Sequence, residues 1–291
     1  MKDRRRATGI QPEETTVYTE KKKEINSMKN TFVKTTAAAM MALSLGACSS
    51  STASSTSASS AGKETKTVTI GISPDYAPYE SLTKDGEIVG FDPDMVEIFE
   101  GYLNENSDVT YHLEFKQMDF DNIIVQIQGD QVELGISGFS YDPDRLVEWS
   151  EPYLGSSQVI VLPADSDIKS ADDLNGKAIA VQTGSTGEAA AQEIEGAEVT
   201  GLKSVQDIMN ALSAHQFDAA VVDSGVAKNY VANGNFTMVE EPLVDEKNYI
   251  IAKQGNTEII DLMNKCIEKF IASDEYTALC EEYGLTPVTN E

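Results

Sequence analysis

From Thr67 onward, short apolar or β-branched runs alternate with amphipathic segments of helical period. The runs predict strands over 67–72, 111–115, 132–136, 158–162, 178–181, 197–200, 219–222 and 249–252. The segments between them place apolar residues three and four apart and predict helices over 94–104, 120–128, 186–195, 204–214 and 224–232, with 257–271 and 275–283 closing the chain. Interleaving of this kind indicates an α/β protein with mostly parallel sheets. In both closing helices the cysteines, Cys266 and Cys280, fall on apolar faces, which predicts buried core thiols; export would also permit their oxidation.

The pattern has an internal echo. Asn122-Ile123-Ile124 through Gln131-Val132-Glu133-Leu134-Gly135-Ile136-Ser137 matches Asp207-Ile208-Met209 through Gln216-Phe217-Asp218-Ala219-Ala220-Val221-Val222 at a constant offset of 85. Each copy is a helix running into a buried strand and then a polar loop. Two lobes of one plan would account for this, as would chance likeness of two helix–strand units. Ligands of such sheets sit beyond the C-terminal ends of the strands.

The first 62 residues follow a different pattern. Lys29 and Lys34 precede a small and apolar run over 35–45 that ends in Gly46-Ala47-Cys48. An export signal has this layout, and the run is shorter than the roughly 20 residues a permanent span needs. Leu45-Gly46-Ala47-Cys48 resembles the bacterial lipobox, whose cysteine is diacylated and becomes the first mature residue; two chains give stable anchoring. The alternative is a plain secretory signal with an incidental cysteine. Ser49 to Gly62 holds only Ser, Thr, Ala and Gly, the composition of a flexible tether about 20 Å from end to end. Residues 1–27 are charged and aperiodic, and Met28 is the expected start, with a translated upstream stretch or a long signal n-region as alternatives. The expected organisation is therefore a signal over 28–47 and a lipid-anchored linker over 48–66. One lobe follows over 67–156 and 250–291, and a second over 157–249.

Charge excludes one class of partner. The 291 residues carry 22 basic and 48 acidic groups, a net −26. Residues 1–47 hold 9 basic and 5 acidic groups, leaving 13 against 43, or −30, for the rest. Nucleic acid needs clustered Lys and Arg, so no such partner is expected, and self-repulsion favours a soluble monomer. No metal, redox or nucleotide-binding motif is visible, and no cofactor is expected.

Beyond residue 47 the sequence contains one arginine, Arg145, after Ser137-Gly138-Phe139-Ser140-Tyr141-Asp142-Pro143-Asp144. A guanidinium on a loop rim suits a carboxylate ligand; it could equally pair with Asp142, Asp144 or Glu148. Gln182-Thr183-Gly184-Ser185-Thr186-Gly187-Glu188 stands between a strand and a helix, where free N–H groups suit an anion or where Ser185 or Thr186 simply caps. Asp223 ends a buried strand and could hold an ammonium or cap the next helix. Tyr76 and Phe120 follow strands and could clamp a side chain or fill a core.

One cation, one anion, a helix N-terminus and two aromatics are the negative of an α-amino acid. Residues 67–291 resemble, along essentially their whole length, the extracellular solute-binding proteins (family 3) of polar amino-acid ABC transporters. The likeness rests on Asp75-Tyr76-Ala77-Pro78-Tyr79-Glu80, Gly90-Phe91-Asp92-Pro93-Asp94, Met118-Asp119-Phe120 and Ile136-Ser137-Gly138. It continues through Arg145 with Glu148-Trp149-Ser150-Glu151-Pro152-Tyr153, Gly184-Ser185-Thr186-Gly187 and Asp218-Ala219-Ala220-Val221-Val222-Asp223. It implies a two-lobed periplasmic-binding-protein-like (type II) fold with crossover strands near 156–159 and 247–251. It implies a ligand carboxylate on Arg145, Ser140 and the Thr186 amide, and an ammonium on Asp223, the Gly138 carbonyl and Ser140, with Tyr76 and Phe120 flanking the side chain. The implied partners are an amino acid, the permease subunits and, through Cys48, the outer face of the cell membrane.

Relatives for basic amino acids or glutamine often carry an acid where this chain has Ser73, and glutamine binders can carry Lys where it has Gln182, so the pocket reads as less charged. The stretch from Arg145 to Pro152 is about two residues shorter than the usual pattern. An acidic ligand is disfavoured, while neutral polar and cationic ligands both remain open. A sensor and a prephenate-type dehydratase on the same scaffold are the other functions considered. For the latter, His112 in a strand and His215 at a helix end make poor general bases, and Glu80 is the one candidate acid.

Overall fold

The computed structural model describes residues 63–289; the expected signal, its start, the tether and Cys48 lie outside them. Two parallel three-stranded units stand at the ends of one mixed sheet. In the first, β1 (Glu64–Ile72) lies between β5 (Val109–Gln117) and β6 (Leu134–Ser140). In the second, β8 (Ala178–Gln182) lies between β9 (Glu198–Leu202) and β10 (Ala219–Asp223). The inner strands are apolar without alternation because helices cover both faces: Ala219, Ala220, Val221 and Val222 are all buried.

The echo falls on equivalent places. Helix α2 (Phe120–Gln128) leads into β6, and α4 (Val205–Ser213) leads into β10, each the strand on the inner flank of its unit. The two lobes thus share one plan. The offset carries Phe120 onto Val205, the first residues of those helices, and Gly138, two residues before the end of β6, onto Asp223 at the end of β10.

Between the units run two antiparallel strands, giving the order β6-β12-β7-β10 across the middle of the sheet, where β7 is Val147–Pro163 and β12 is Val244–Lys253. Near its C-terminal end β12 pairs with β6, and Gln158 to Val161 of β7 pair with β10. Both strands therefore pass from lobe to lobe, side by side, where Gly155 to Ser157 face Lys247 to Asp245. The sequence pattern marks only 158–162 of β7, because Pro152, Gly155, Ser156 and Ser157 read as a turn. A register shift between Asn248 and Tyr249 accommodates Pro152.

Helix α1 (Phe91–Asn104) begins three residues before the expected start, with Pro93 in the first turn, where its missing N–H is not needed. The short strands β2 (Asp75–Tyr76), β3 (Glu80–Leu82) and β4 (Ile88–Val89) form a separate small sheet. They are too brief to show a period, as is β11 (Phe236–Met238), which pairs with β7. Helices α3 (Thr186–Gln192) and α5 (Ser224–Val231) belong to the second lobe, whereas α6 (Thr257–Ile271) packs on β7 and α1 in the first. Ile259, Ile260, Met263, Cys266, Ile267 and Phe270 form its buried stripe. Helix α7 (Asp274–Tyr283) is capped by Ser273 and ends on Gly284 at φ 64°. Cys266 and Cys280 are buried and unbonded to each other, and burial pushes both thiols up to about 11.

Candidate binding cleft between the lobes

Each expected site residue stands at or within two residues of an element end. Arg145 lies in the loop after β6 with its side chain 9% exposed. It donates through Nη1 to the Ser140 carbonyl (3.2 Å) and through Nη2 to the Gly184 carbonyl of the other lobe (2.8 Å). Nε lies 3.5 Å from Asp142, and the guanidinium stands over the mutually stacked rings of Phe120 and Phe139, 5.9 and 5.6 Å from their centroids. Burial pulls the Arg145 pKa down, against the pull of Asp142 and Glu246. The loop-stabilising pair with Asp142 and the interlobe bridge are therefore both present, and Glu148 instead accepts from the Gly255 amide.

Asp223 ends β10 and is 1% exposed. Its Oδ1 accepts from the Gly225 amide (2.8 Å), capping α5, and from the Tyr79 hydroxyl of the first lobe (2.6 Å). Its Oδ2 accepts from the hydroxyl of Ser156 on the crossover strand. Burial raises its pKa, with the Ser156 and Tyr79 hydroxyls opposing. Tyr76 is buried and accepts at Oη from the Asp223 amide (3.3 Å). Its ring lies 3.3 Å from where a Cβ on Gly138 would stand, and Gly138 has φ +59°, so both space and backbone favour glycine there.

Ser185 caps α3 by accepting from the Glu188 amide (3.1 Å), which makes Thr186 the first helical residue. The Thr186 hydroxyl donates to Glu246 Oε2 (3.0 Å). Ser140 is buried, and its carbonyl is the atom bonded to Arg145. Gln182 is also buried and turns toward α4, donating to the Lys203 carbonyl (3.3 Å).

The chemistry converges from both lobes, with Arg145, Phe120, Tyr76, Gly138 and Ser140 on one side and Thr186 and Asp223 on the other. Direct interlobe contacts close the gap: Arg145 to Gly184, Tyr79 to Asp223, and Asp75 Oδ2 accepting from the Val205 amide at the start of α4 (2.8 Å). On the surface, Lys203 pairs with Asp119 at 2.9 Å. A cavity of about 770 Å³ opens beside the Arg145 loop, lined by Tyr141, Asp142, Thr186 and Glu246 among others. Tyr76, Phe120, Gly138 and Asp223 do not line it.

Sequence reading missed the crossover strands' contribution. Ser156, Gln158, Glu246 and Asn248 all bond to expected site residues: Ser156 to Asp223, Gln158 to Thr186, Glu246 to Thr186, and Asn248 to the Gly138 carbonyl. Their signal was the run of polar residues inside a strand that crosses the protein interior. Of the acid and base candidates, Glu80 stands beside the site, paired with Tyr76 across β2 and β3, and the two histidines stand apart from it. Glu80 is fully buried and accepts from Ser137, while His112 stands 58% exposed on the edge strand β5, 3.3 Å from Glu100. His215 sits in the turn after α4 at φ 52°.

Two α/β lobes joined by a strand pair, with opposed charged groups between them, define a hinged binding protein. Residues 68–286 match the profile of "Bacterial extracellular solute-binding proteins, family 3", and the chain belongs to that family. It is 29% identical over 256 residues to an arginine-binding extracellular protein, ArtP, of Bacillus subtilis (strain 168), covering 84% of this chain and 94% of that one. A probable histidine-binding protein of Neisseria gonorrhoeae is 27% identical, covering 85% and 93%. The crystal structure of the substrate-binding protein of an amino acid ABC transporter superposes with a TM-score of 0.70 at 31% identity, covering 75% of this chain and 99% of that one. Among the described residues no helix is long and apolar enough to cross a membrane.

Proposed function

We infer that the protein binds a polar L-amino acid outside the membrane and delivers it to an ABC permease. The observation that carries this reading is the convergence of Arg145 and Asp223, from opposite lobes, on one cleft in a chain of this family. The ligand carboxylate would take the guanidinium, with Ser140 and the Thr186 amide beside it. The ammonium would take Asp223 and the Gly138 carbonyl, and Tyr76 and Phe120 would bracket the side chain. Gln182, turned toward α4, would act through the backbone at the start of the Gly184 loop. Because each end of the ligand meets groups from both lobes, binding favours the closed arrangement over the open one, as closure on a ligand requires.

The lobes would be 67–156 with 250–291, and 157–249, rotating about β7 and β12. A diacylated Cys48 and the Ser-rich tether would hold a monomer on the outer face of the membrane, within reach of the permease. Binding without catalysis is supported by the family of the chain and by the binding proteins among its relatives. A thermal-shift screen of the purified protein against the common amino acids tests the reading, since a ligand of the folded state raises the melting temperature. At least one polar amino acid is expected to raise it; no response to any of them overturns the reading.

A further inference from the structure

The cleft floor carries charge that the family resemblance did not assign. Glu246 lies on β12 where the chain crosses between lobes, directly opposite Ser156 of β7. Asn248 is two residues further along β12, Gln158 is two residues from Ser156, and Asp223 pairs with Gln158. Side chains two apart, and those directly paired across strands, share one face of a sheet. The contacts agree: Glu246 Oε2 accepts from Gln158 (3.0 Å) and Thr186 (3.0 Å), and Asn248 Nδ2 donates to the Gly138 carbonyl (3.1 Å). The Glu246 charge acts on Arg145, Asp223 and Tyr76, three of the expected ligand contacts.

Two observations point to what this floor lacks. Asn248 is fully buried, yet among the described residues its Oδ1 has no hydrogen-bond partner, and a buried acceptor left without a donor is costly. The charges are also unequal. Asp142 stands 3.5 Å from Arg145, and Lys203 pairs with Asp119 and Asp121. Among the described residues, Asp223 and Glu246 receive hydrogen bonds from hydroxyl, amide and side-chain amide groups only. A zwitterionic amino acid adds no net charge and leaves this excess in place; one with a cationic side chain offsets it and brings N–H donors.

We propose that Glu246, with Asn248 beside it, selects amino acids with a positively charged side chain by presenting a carboxylate and an amide acceptor from the crossover strand. The proposal rests on the amino-acid-binding reading above. Isothermal titration with L-arginine and L-citrulline, which share a shape but differ in charge, tests it. The wild-type protein is expected to bind arginine about tenfold or more tightly than citrulline. Glu246→Gln, close to isosteric and still an acceptor for Thr186 and Gln158, is expected to cut arginine affinity about tenfold while citrulline changes less than about threefold. An unchanged ratio in a variant that melts like wild type overturns the proposal, as does wild-type protein that binds citrulline as tightly as arginine. If Glu246→Gln melts early, Glu246→Asp, which keeps the charge, must retain the arginine preference. Binding of neutral amino acids alone would sink this proposal and leave the capture function standing, whereas binding of no amino acid would remove both.

Discussion

The Arg145 guanidinium serves two carbonyls in different lobes while its Nε faces Asp142. A lysine could supply the charge but not the planar fork. Arg145→Ala is expected to weaken amino-acid binding by about 100-fold or more, with Arg145→Lys recovering little of it. Calorimetry on variants whose melting temperature is retained checks this, and wild-type affinity in Arg145→Ala would remove its carboxylate role. This residue was legible because it is the one arginine after residue 47. Glu80 was named as a candidate acid, but its pairing with Asp92 was not legible, because a buried acid pair leaves no pattern in sequence. Both are 0% exposed, and Glu80 Oε2 and Asp92 Oδ1 lack other partners. Burial, foremost, raises both groups, Asp92 to about 7. The folded pair thus holds a proton that the unfolded chain releases near pH 4, so its stabilisation is complete at acid pH and fades as pH rises through about 7. Melting temperature should fall by about 5 °C between pH 5 and pH 8 in excess of the fall in Glu80→Gln. Parallel profiles for the two proteins would refute the shared proton.

At the scale of elements, periodicity located every major strand and helix, and it failed where short polar pieces gain their structure from partners. The Ser73–Glu80 segment illustrates the failure, since its function is visible only across the cleft. Asp75 Oδ2 accepts from the Val205 amide, so a carboxylate of one lobe supports the N-terminus of a helix in the other. Ser204 already caps that helix within its own lobe through the Asp207 amide. Loss of the Asp75 carboxylate should therefore weaken closure more than it weakens either lobe. Asp75→Ala is expected to reduce ligand affinity about three- to tenfold while the ligand-free melting temperature changes by less than about 2 °C. Titration and thermal melts on the same sample decide between the two, and a large drop in melting temperature with unchanged affinity would reassign Asp75 to the stability of its lobe. Periodicity marked only the 158–162 end of the crossover strand β7 for a related reason. Its central Gly155-Ser156-Ser157 is polar because it floors a cleft, and there Ser156 meets Asp223.

At the scale of the molecule, the two-lobe plan could be read from the echo at offset 85, and the acidic balance from composition, but not where the acids gather. Asp142, Asp144, Asp172, Glu193, Glu195 and Glu246 line the cavity beside the Arg145 loop, and no Lys, Arg or His is among its lining residues. The lipid tether proposed for Cys48 would act at the same scale. Cys48→Ala should move the protein from the membrane fraction to the medium or the periplasm, and retention in membranes would count against a lipid tether. Capture would then depend on the field at this cavity, which shares Thr186 and Glu246 with the expected site. A concave acidic wall on a chain of net charge −26 raises the local concentration of cations. That effect is screened over roughly 10 Å at 0.1 M salt. Raising the salt from about 20 to 200 mM should therefore slow association of L-arginine about threefold or more, and leave that of L-citrulline nearly constant. Stopped-flow following the fluorescence of Trp149, which packs against Tyr141 of the cavity wall and Tyr249, can measure both rates. Equal salt dependence for the two ligands would show that the acidic wall keeps the protein soluble and does not steer its ligand.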